Sequence, residues 1–328
     1  MHTASFEGVR DAARQLAGHA VRTPLIESPA LNEHLGGRVL LKAENLQRAG
    51  AFKFRGAYNR ISRLAADELK RGVVAYSSGN HAQAVACAAR MMGSSAIIVM
   101  PADSPKVKVE GVIGFGGEVR LYDRYRESRE AIGEEIAQTR GSVLVRPFDD
   151  PFVIEGQGTT GLEIVEQAKE AGAQIDQLLC GASGGGLIAG VNLSMAALVP
   201  DAPVIGIEPE AYNDTLLSLR AGERLTHAPV EKPSICDALM TDRPGELTFP
   251  INRRLARVET VSDAEVAEAV RYAFRTLKLV VEPGGAVSLA ALLAGKVEAK
   301  GRTTAIVLSG GNVDPGLFSE IIEGRFAG

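Results

Sequence analysis

Lys53 is the residue of this sequence best placed to act as an amine nucleophile. It lies between Phe52 and Phe54, in the segment Gly-Ala-Phe-Lys-Phe-Arg-Gly-Ala-Tyr-Asn at residues 50–59. Aromatic neighbours can take an amine partly out of water, which disfavours the ammonium form and lowers its pKa. A neutral amine can attack a carbonyl and form a Schiff base. A solvated surface lysine beside core phenylalanines produces the same pattern, so other parts of the chain must decide between the two interpretations.

Three turns after apolar segments could bind the anionic or polar groups of a ligand. Ser-Ser-Gly-Asn-His at residues 77–81 opens a predicted helix, where free backbone N–H groups bind a carboxylate or phosphate. Gly-Ala-Ser-Gly-Gly-Gly-Leu at residues 181–187 lets the backbone approach a phosphate closely at a second helix start. Ser-Gly-Gly-Asn at residues 309–312 follows a third strand. An ordinary N-cap and plain glycine turns are the alternatives.

The glycine loop is also open to two other functional interpretations. The spacing Gly-x-Gly-x-x-Ala at residues 184–189 matches a dinucleotide-binding turn, with Glu208 as the ribose ligand. Its position after a complete lobe disfavours this, because the first strand-helix unit of a dinucleotide fold carries the turn. The spacing Gly-x-Ser-x-Gly at residues 181–185 matches a hydrolase nucleophile turn, with Asp214 and His227 following in triad order. His227 precedes the last predicted strands, whereas the histidine of a hydrolase is expected after them. This position disfavours the hydrolase interpretation.

An acidic segment follows the strand that ends near residue 207. Glu208, Glu210 and Asp214 provide oxygen ligands at a density that suits Mg²⁺ or Ca²⁺, although a solvated acidic loop gives the same pattern. The histidines are isolated, so no histidine-based metal site is predicted. No Gly-Lys-Ser/Thr follows a glycine run, which excludes a P-loop.

Alternating apolar and helix-length segments predict the elements that carry these turns. The predicted strands are residues 39–42, 73–76, 96–100, 119–122, 143–145, 177–179, 204–207, 258–261 and 305–308. The predicted helices are residues 5–16, 58–69, 82–92, 126–137, 161–171, 187–197, 263–277 and 286–293. This alternation predicts an α/β protein with two doubly wound lobes and parallel sheets.

Length and composition limit the class of protein. A chain of 328 residues exceeds the usual size of a single core, which favours two lobes with a site between them. A net charge of -4 with interspersed signs argues against a nucleic-acid or membrane partner and favours a small-molecule ligand. The widely spaced Cys87, Cys180 and Cys236 predict reduced, buried thiols. Neither a signal peptide nor an apolar run of membrane-spanning length is visible, so a cytoplasmic location is predicted.

Taken in order, these segments resemble the pyridoxal-phosphate enzymes of the tryptophan-synthase-β-like fold, called fold type II. The chain resembles in particular the serine/threonine dehydratase and serine racemase family, from Arg-Thr-Pro-Leu at residues 22–25 to Val-Asp at residues 313–314. The resemblance implies a small domain at residues 50–147 and a large cofactor-binding domain made of residues 1–49 and 148–328. It also implies a homodimer.

The resemblance implies a role for each residue that matches the family pattern. Lys53 would be the Schiff-base lysine and the general base, with Phe52 against the cofactor ring. Asn80 would hydrogen-bond to the ring hydroxyl, and Ser309 would face the pyridine nitrogen and leave it unprotonated, which favours prompt loss of a β-hydroxyl. The phosphate would be held by Ser183, Gly184, Gly185, Gly186 and Leu187. The substrate carboxylate would be held by Ser77, Ser78, Gly79, Asn80 and His81.

The resemblance further implies a reaction and a metal. The expected reaction converts L-serine or L-threonine to a 2-keto acid and ammonia, with 3-hydroxyaspartate dehydratase and serine racemase as alternatives. Ser78 matches the family position that acts on the opposite face of the substrate. Glu208, the carbonyl of Tyr212 and Asp214 match the metal site of the racemase-like branch, which implies Mg²⁺, with Ca²⁺ or Mn²⁺ as alternatives.

Several positions bear on the choice of substrate. Many family members have serine at the position of Ala51. Alanine at this position is similar to the branch with microbial serine racemases and 3-hydroxyaspartate dehydratases. Pro-Phe-Asp-Asp at residues 147–150 is similar to threonine dehydratases, and Ala238 stands where glycine is frequent. Arg129 is the candidate partner for a second substrate carboxylate, because a guanidinium binds a carboxylate in bidentate fashion.

Overall fold

The structure is a computed structural model that describes residues 2–77, 79–104 and 106–326, apart from the side chain of Val107. Its strands are Leu25–Glu27 (β1), Arg38–Ala43 (β2), Val73–Tyr76 (β3), Ala96–Pro101 (β4), Glu118–Tyr122 (β5), Val143–Leu144 (β6), Gln177–Gly181 (β7), Val204–Pro209 (β8), Arg257–Val261 (β9) and Thr303–Leu308 (β10). Its α-helices are Phe6–Leu16 (α1), Pro29–Leu35 (α2), Lys53–Ile61 (α3), Ala66–Arg71 (α4), Asn80–Met91 (α5), Lys106–Gly114 (α6), Arg129–Arg140 (α7), Pro151–Glu170 (α8), Gly186–Leu198 (α9), Asp214–Ala221 (α10), Thr248–Asn252 (α11), Asp263–Tyr272 (α12), Pro283–Leu293 (α13) and Pro315–Ile322 (α14).

The strands form two sheets. The larger sheet has the order β1-β2-β10-β7-β8-β9, and the smaller has the order β5-β4-β3-β6. All pairs are parallel except β1 with β2, in which Ile26 faces Leu41. The predicted α/β fold with parallel sheets is therefore confirmed, and the antiparallel edge strand β1 is an addition to it. The division into domains at residues 50 and 147 stays a prediction.

Each sheet is covered on both faces because its central strands are apolar at consecutive positions. In β2, Leu41 packs into a core with α12 and α13, whereas Leu40 packs into a second core with α9. Successive side chains of a strand point to opposite faces, so one strand supplies both cores. In β3, Val73 and Val74 likewise belong to different clusters. This continuous burial is typical of parallel sheets enclosed by helices.

For two of the helices, the contacts explain why the observed bounds differ from the predicted ones. The predicted helix at residues 58–69 is instead two helices, α3 and α4, and α3 begins at Lys53. The helix predicted at residues 161–171 begins ten residues earlier, at Pro151, where the Asp150 side chain accepts hydrogen bonds from two backbone N–H groups. The glycines in this first part of the helix weakened the helical pattern of the sequence. Gly158 is needed for close packing, because a Cβ there would lie 2.9 Å from the Gly190 carbonyl oxygen.

Parallel topology gathers the predicted turns at the carboxyl ends of the strands. In the larger sheet β10, β7 and β8 are neighbours, so the turns that follow them lie side by side. In the smaller sheet, β3 leads directly into the start of α5. Ligands of α/β sheets bind at these carboxyl ends.

The helices and the cysteines of the structure bear on two predictions made from composition. Among the described residues, none of the helices has the length and apolar character needed to cross a bilayer. Cys87, Cys180 and Cys236 are buried and free, in agreement with their prediction as thiols.

Candidate active site

One pocket brings together most of the residues that were predicted to form the site. The predicted residues that line it are Phe52, Lys53, Ser77, Gly79, Asn80, His81, Arg129, Ser183, Gly184, Gly185, Gly186, Leu187 and Ser309. Other lining residues include Tyr76, Lys108, Phe148, Asp237, Thr241, Glu282 and Asn312. Ser78, the predicted residue for the opposite face of the substrate, lies outside the described residues. The predicted metal ligands Glu208, Tyr212 and Asp214 do not line the pocket.

Lys53 is the first residue of α3, and its amine is enclosed by the pocket. Its Nζ donates a hydrogen bond to the Pro147 carbonyl oxygen at 2.7 Å and lies 5.2 Å from the centre of the Phe52 ring. Burial lowers the pKa of Lys53 to about 8. The Phe52 N–H donates to the Ser309 carbonyl oxygen at 3.1 Å, which joins the lysine turn to the end of β10. The lowered pKa gives Lys53 a much larger neutral fraction near physiological pH than an ordinary lysine has, as a nucleophile or base requires.

The glycine loop before α9 leaves its backbone open because no side chain fits there. Gly185 has a φ of 91°, a left-handed conformation that favours glycine, and a Cβ on it would lie 2.4 Å from Asn252 Nδ2. At Gly184 and Gly186 a Cβ would lie 2.5 Å and 2.9 Å from the nearest atom of Phe148. The three glycines therefore form a backbone cradle at a helix N-terminus, which suits a phosphate group.

Two side chains from α11 orient the peptide groups of this cradle. Thr248 Oγ1 donates to the Gly184 carbonyl oxygen at 2.6 Å, and Asn252 Nδ2 donates to the Gly185 carbonyl oxygen at 3.2 Å. In a trans peptide the C=O and the following N–H point in opposite directions, so these bonds aim the N–H groups of Gly185 and Gly186 away from α11. Neither Thr248 nor Asn252 was predicted, and no local pattern around them indicates this role.

Asn80 at the start of α5 is held by two partners that fix the orientation of its amide. Its Nδ2 donates to Glu282 Oε1 at 2.5 Å, and its Oδ1 accepts from Asn312 Nδ2 at 2.8 Å. Burial and the nearby Asp237 raise the pKa of Glu282 to about 8, against the opposing hydrogen bond from Asn80. One N–H of the Asn80 amide remains for a ligand. No role for Glu282 was predicted from the sequence.

His81 is buried and uncharged. Its Nε2 lies 2.9 Å from the Val145 carbonyl oxygen, and burial together with the charge of Lys53 lowers the pKa of His81 to about 3. The neutral imidazole therefore donates from Nε2 to that carbonyl. Because the side chain is directed to the end of β6 in this way, an anion at the turn would bind the free N–H groups at the start of α5 rather than an imidazolium.

Arg129, the first residue of α7, brings a cation to the pocket. Its Cζ lies 5.7 Å from the centre of the Tyr76 ring, and its Nε donates to Glu130 Oε1 at 2.7 Å. Its side chain is 46% exposed, so the guanidinium can still bind a ligand. Lys108 also lines the pocket, but it forms an ion pair with Asp237.

The acidic segment after β8 contains two buried carboxyl groups. Glu208 accepts hydrogen bonds from the N–H groups of Thr215 and Leu216 at 3.0 and 2.9 Å, whereas both oxygens of Asp214 are buried without a partner among the described residues. Burial raises the pKa of Glu208 to about 7, and burial and Glu208 raise that of Asp214 to about 8. A cation would relieve both effects. In the described part of the chain, no three His, Cys, Asp or Glu side chains converge on a metal position, so backbone or water ligands would complete the site.

The two alternative functions of the glycine loop find no support in the geometry. Ser183 Oγ lies 2.5 Å from Thr241 Oγ1, and His227 Nδ1 lies 2.6 Å from the carbonyl oxygen of Ala228. Ser183 therefore has a threonine rather than a histidine as its hydroxyl partner, unlike a hydrolase nucleophile. Glu208 uses both carboxylate oxygens to accept from backbone N–H groups at the start of α10, instead of presenting them to a ribose.

A buried amine and an anion-binding glycine cradle in one α/β pocket fit the class of enzymes that hold a phosphorylated aldehyde through a lysine. The chain belongs to the family described as pyridoxal-phosphate dependent enzymes, whose model matches residues 16–310. The predicted resemblance and the prediction of an enzyme of this type are thus confirmed, and pyridoxal phosphate is the implied cofactor. The individual residue roles stay predictions.

The relatives and structural neighbours of the chain include lyases and racemases. An L-threo-3-hydroxyaspartate ammonia-lyase of Pseudomonas sp is 42% identical over 326 residues, which cover 99% of this chain and 100% of the relative. An L-threonine ammonia-lyase of Thermotoga maritima is 40% identical over 97% of this chain and 78% of its own. The structure of maize serine racemase superposes with a TM-score of 0.91 at 36% identity, covering 99% of this chain and 98% of that one.

Proposed function

We propose that the protein is an ammonia-lyase that converts a hydroxy-amino acid to a 2-keto acid and ammonia, with 3-hydroxyaspartate as its preferred substrate. The main observation in support is that the Lys53 amine and the Arg129 guanidinium line the same pocket. L-Serine and L-threonine are smaller substrates of the same site. The kinship with 3-hydroxyaspartate and threonine ammonia-lyases agrees with this choice.

The chain's own residues have distinct tasks in this reaction. Bound pyridoxal phosphate supplies the electron sink that makes the α-proton of an amino acid removable. The Lys53 amine would hold the cofactor, and the same amine would accept the α-proton of the substrate, for which a pKa of about 8 is suitable. The N–H groups of Gly185 and Gly186 would hold the phosphate, and the Asn80 amide would hold the ring hydroxyl.

The remaining predicted residues bind the substrate carboxylate and the cofactor ring. The N–H groups at the start of α5, next to Ser77 and Gly79, bind the α-carboxylate. In the bound cofactor, Ser309 would hold the pyridine nitrogen and Phe52 would pack against the ring. Serine racemase is the second candidate activity, because Ser78 stands at the family position for proton transfer on the opposite face of the substrate. The kinship with maize serine racemase also favours this activity.

Arg129 decides between monocarboxylic and dicarboxylic substrates. A guanidinium binds a carboxylate through two parallel hydrogen bonds, and the Tyr76 ring beside it restricts its orientation. To bind a ligand, Arg129 exchanges its surface contact with Glu130 for the substrate carboxylate. A half-exposed pair of this kind is weak, so the exchange costs little.

The proposal is tested by measuring keto acid and ammonia release from a panel of hydroxy-amino acids. The panel contains both diastereomers of 3-hydroxyaspartate, L- and D-serine, and L- and D-threonine, and chiral analysis of the remaining amino acid measures racemisation. We expect the largest kcat/KM for a 3-hydroxyaspartate isomer. With every substrate, the amount of ammonia released should equal the amount of keto acid. Keto-acid release from none of them would refute the lyase assignment, and racemisation without release would favour the second candidate.

We also propose that Mg²⁺ binds Glu208, Asp214 and the Tyr212 carbonyl, with Ca²⁺ or Mn²⁺ as alternatives. The unpaired oxygens of Asp214 and the raised pKa of both carboxyl groups fit a cation-binding site. Because Glu208, Tyr212 and Asp214 do not line the pocket, the role of the cation is structural.

Magnesium is therefore expected to raise the melting temperature of metal-free protein. Binding to the folded state alone adds about 2.7 kcal/mol at a concentration of 100 times Kd, which corresponds to a shift of several degrees. Asp214→Asn should abolish the shift, while Asp201→Asn on the surface should keep it. An unchanged melting temperature in wild-type protein at millimolar Mg²⁺, Ca²⁺ and Mn²⁺ would contradict the site.

Assembly, location and domain limits remain proposals. We expect a homodimer, which light scattering of the purified protein would reveal, and a cytoplasmic location. We also retain the division into a small domain at residues 50–147 and a large domain made of residues 1–49 and 148–328.

A further inference from the structure

A cluster of four buried charges lies behind the turn that carries Lys53. Arg55, Lys42 and Glu44 have fully buried side chains, and Glu163 is 16% exposed. The two cations and two carboxylates balance, so the cluster is neutral as a whole. We call these four residues the charge cluster. None of them lines the pocket, so contact with a ligand does not explain them.

Arg55 is the centre of the charge cluster because it binds both carboxylates in bidentate fashion. Its Nε and Nη2 donate to Glu44 Oε2 and Oε1 at 2.8 and 2.7 Å. Its Nη1 and Nη2 donate to Glu163 Oε1 and Oε2 at 2.7 and 2.8 Å. Only the planar fork of a guanidinium can make both pairs of bonds at once. Arg55 is therefore held in one orientation.

The charge cluster joins α3 to two other parts of the fold. Glu44 follows β2 directly, and Glu163 lies on α8. Lys42 of β2 donates from Nζ to Glu163 Oε2 at 2.6 Å, so the strand and α8 are tied together as well. The backbone of α3 is fixed at the next residue, where the Gly56 N–H donates to Gln157 Oε1 at 3.1 Å.

We infer that Arg55 is the positioning residue for the Lys53 amine, an inference that rests on the proposed function. Both residues lie in the first turn of α3, two positions apart, and this turn is held on its other side by the bond from the Phe52 N–H to Ser309. Arg55 fixes where the helix begins, and the start of the helix fixes the direction of the lysine side chain. A buried charge cluster is often no more stable than an apolar replacement, so geometry accounts for it better than stability does.

Arg55→Lys tests the inference because it keeps the charge and removes the fork. In the holoenzyme we expect kcat to fall about tenfold or more, with KM changed by less than about threefold, because a misplaced amine slows proton transfer without weakening substrate binding. In the cofactor-free protein, labelling of Lys53 with an amine-reactive reagent should shift to higher pH as the amine becomes more solvated. The matched control is Arg60→Lys, at the other end of α3, where Arg60 pairs with Asp150 at 3.0 Å.

A double variant separates positioning from the cost of an unbalanced buried charge. Arg55→Met leaves the charge cluster with a net negative charge, and adding Glu44→Gln restores neutrality. We expect the double variant to recover most of the melting temperature lost in Arg55→Met, but not kcat or the labelling profile of Lys53. Recovery of kcat together with the melting temperature would overturn the inference, as would wild-type kcat and labelling in Arg55→Lys.

Failure of the proposed function gives a different result. Wild-type holoprotein that shows no imine absorption band and no borohydride-trapped Lys53 would refute that function before any variant is compared. The labelling profile of Lys53 in cofactor-free protein would still decide whether Arg55 positions the amine. An unchanged profile in both Arg55→Lys and the double variant would then overturn the positioning role itself.

Discussion

Replacing Lys53 with alanine is expected to lower kcat for every hydroxy-amino acid by about 10³-fold or more, within the range for loss of a general base. The variant should also lose the imine absorption band and the peptide trapped by borohydride, because its pocket lacks an amine that can bond to the cofactor. Steady-state kinetics, absorption spectra and peptide mapping measure the three effects. A small primary amine added to the assay should restore part of the turnover by entering the space left by the side chain.

The stability of the same variant distinguishes loss of chemistry from loss of folding. Burial lowers the pKa of Lys53 to about 8, so the folded protein disfavours the ammonium form. This cost is complete below pH 8, shrinks as the pH rises, and is gone above the ordinary lysine pKa of about 10.4. Cofactor-free Lys53→Ala should therefore unfold at pH 7 at a temperature no lower than wild type. The control Lys70→Ala, on the surface of α4, should change neither property. Full turnover in Lys53→Ala would contradict the role given to this lysine.

The composition of the pocket could be predicted to a large extent because chain topology determines it. Turns after parallel strands meet at one edge of a sheet, so the turns after β7 and β10 of the larger sheet lie together, and described residues of both line the pocket. Described residues of the turn after β3, which belongs to the smaller sheet, line the same pocket. The start of α3 could not be predicted, since Gly56 weakens the helical pattern and is explained by close packing on α8, where a Cβ at Gly56 would lie 2.4 Å from Gln157 Nε2. Local sequence carries no record of such a distant partner.

The residues that support the pocket were missed for the same reason. Thr248 and Asn252 orient the glycine cradle from a short helix that lies some sixty residues further along the chain. Glu282 holds Asn80 across a separation of 202 residues. Threonine, asparagine and glutamate are common on protein surfaces, and only their burial in the folded chain reveals these roles. The contacting residues of a site are therefore easier to predict than the residues that orient them.

Replacing Arg129 with methionine is expected to lower the ratio of kcat/KM for 3-hydroxyaspartate to that for L-serine by about 100-fold. A hydrogen-bonded charge pair contributes about 1.5–3 kcal/mol, and each 1.4 kcal/mol is a factor of ten. Methionine has a similar length and no charge, so the pocket keeps its shape while the second carboxylate loses its partner. L-Serine has no second carboxylate, and its turnover should change by less than about threefold. Initial rates of keto-acid release with both substrates give the ratio directly.

Two further variants decide whether the effect depends on the geometry of Arg129 or only on its charge. Arg129→Lys keeps the charge and loses the bidentate fork, so the ratio should fall to an intermediate value. Arg124→Met removes a nearby exposed cation that pairs with Asp103 instead of lining the pocket, and it should leave the ratio unchanged. Equal losses in Arg129→Met and Arg124→Met would show that general attraction of an anionic substrate is responsible, and raised ionic strength would then abolish both. An unchanged ratio in Arg129→Met would instead show that the second carboxylate binds elsewhere in the pocket, which Lys108 also lines.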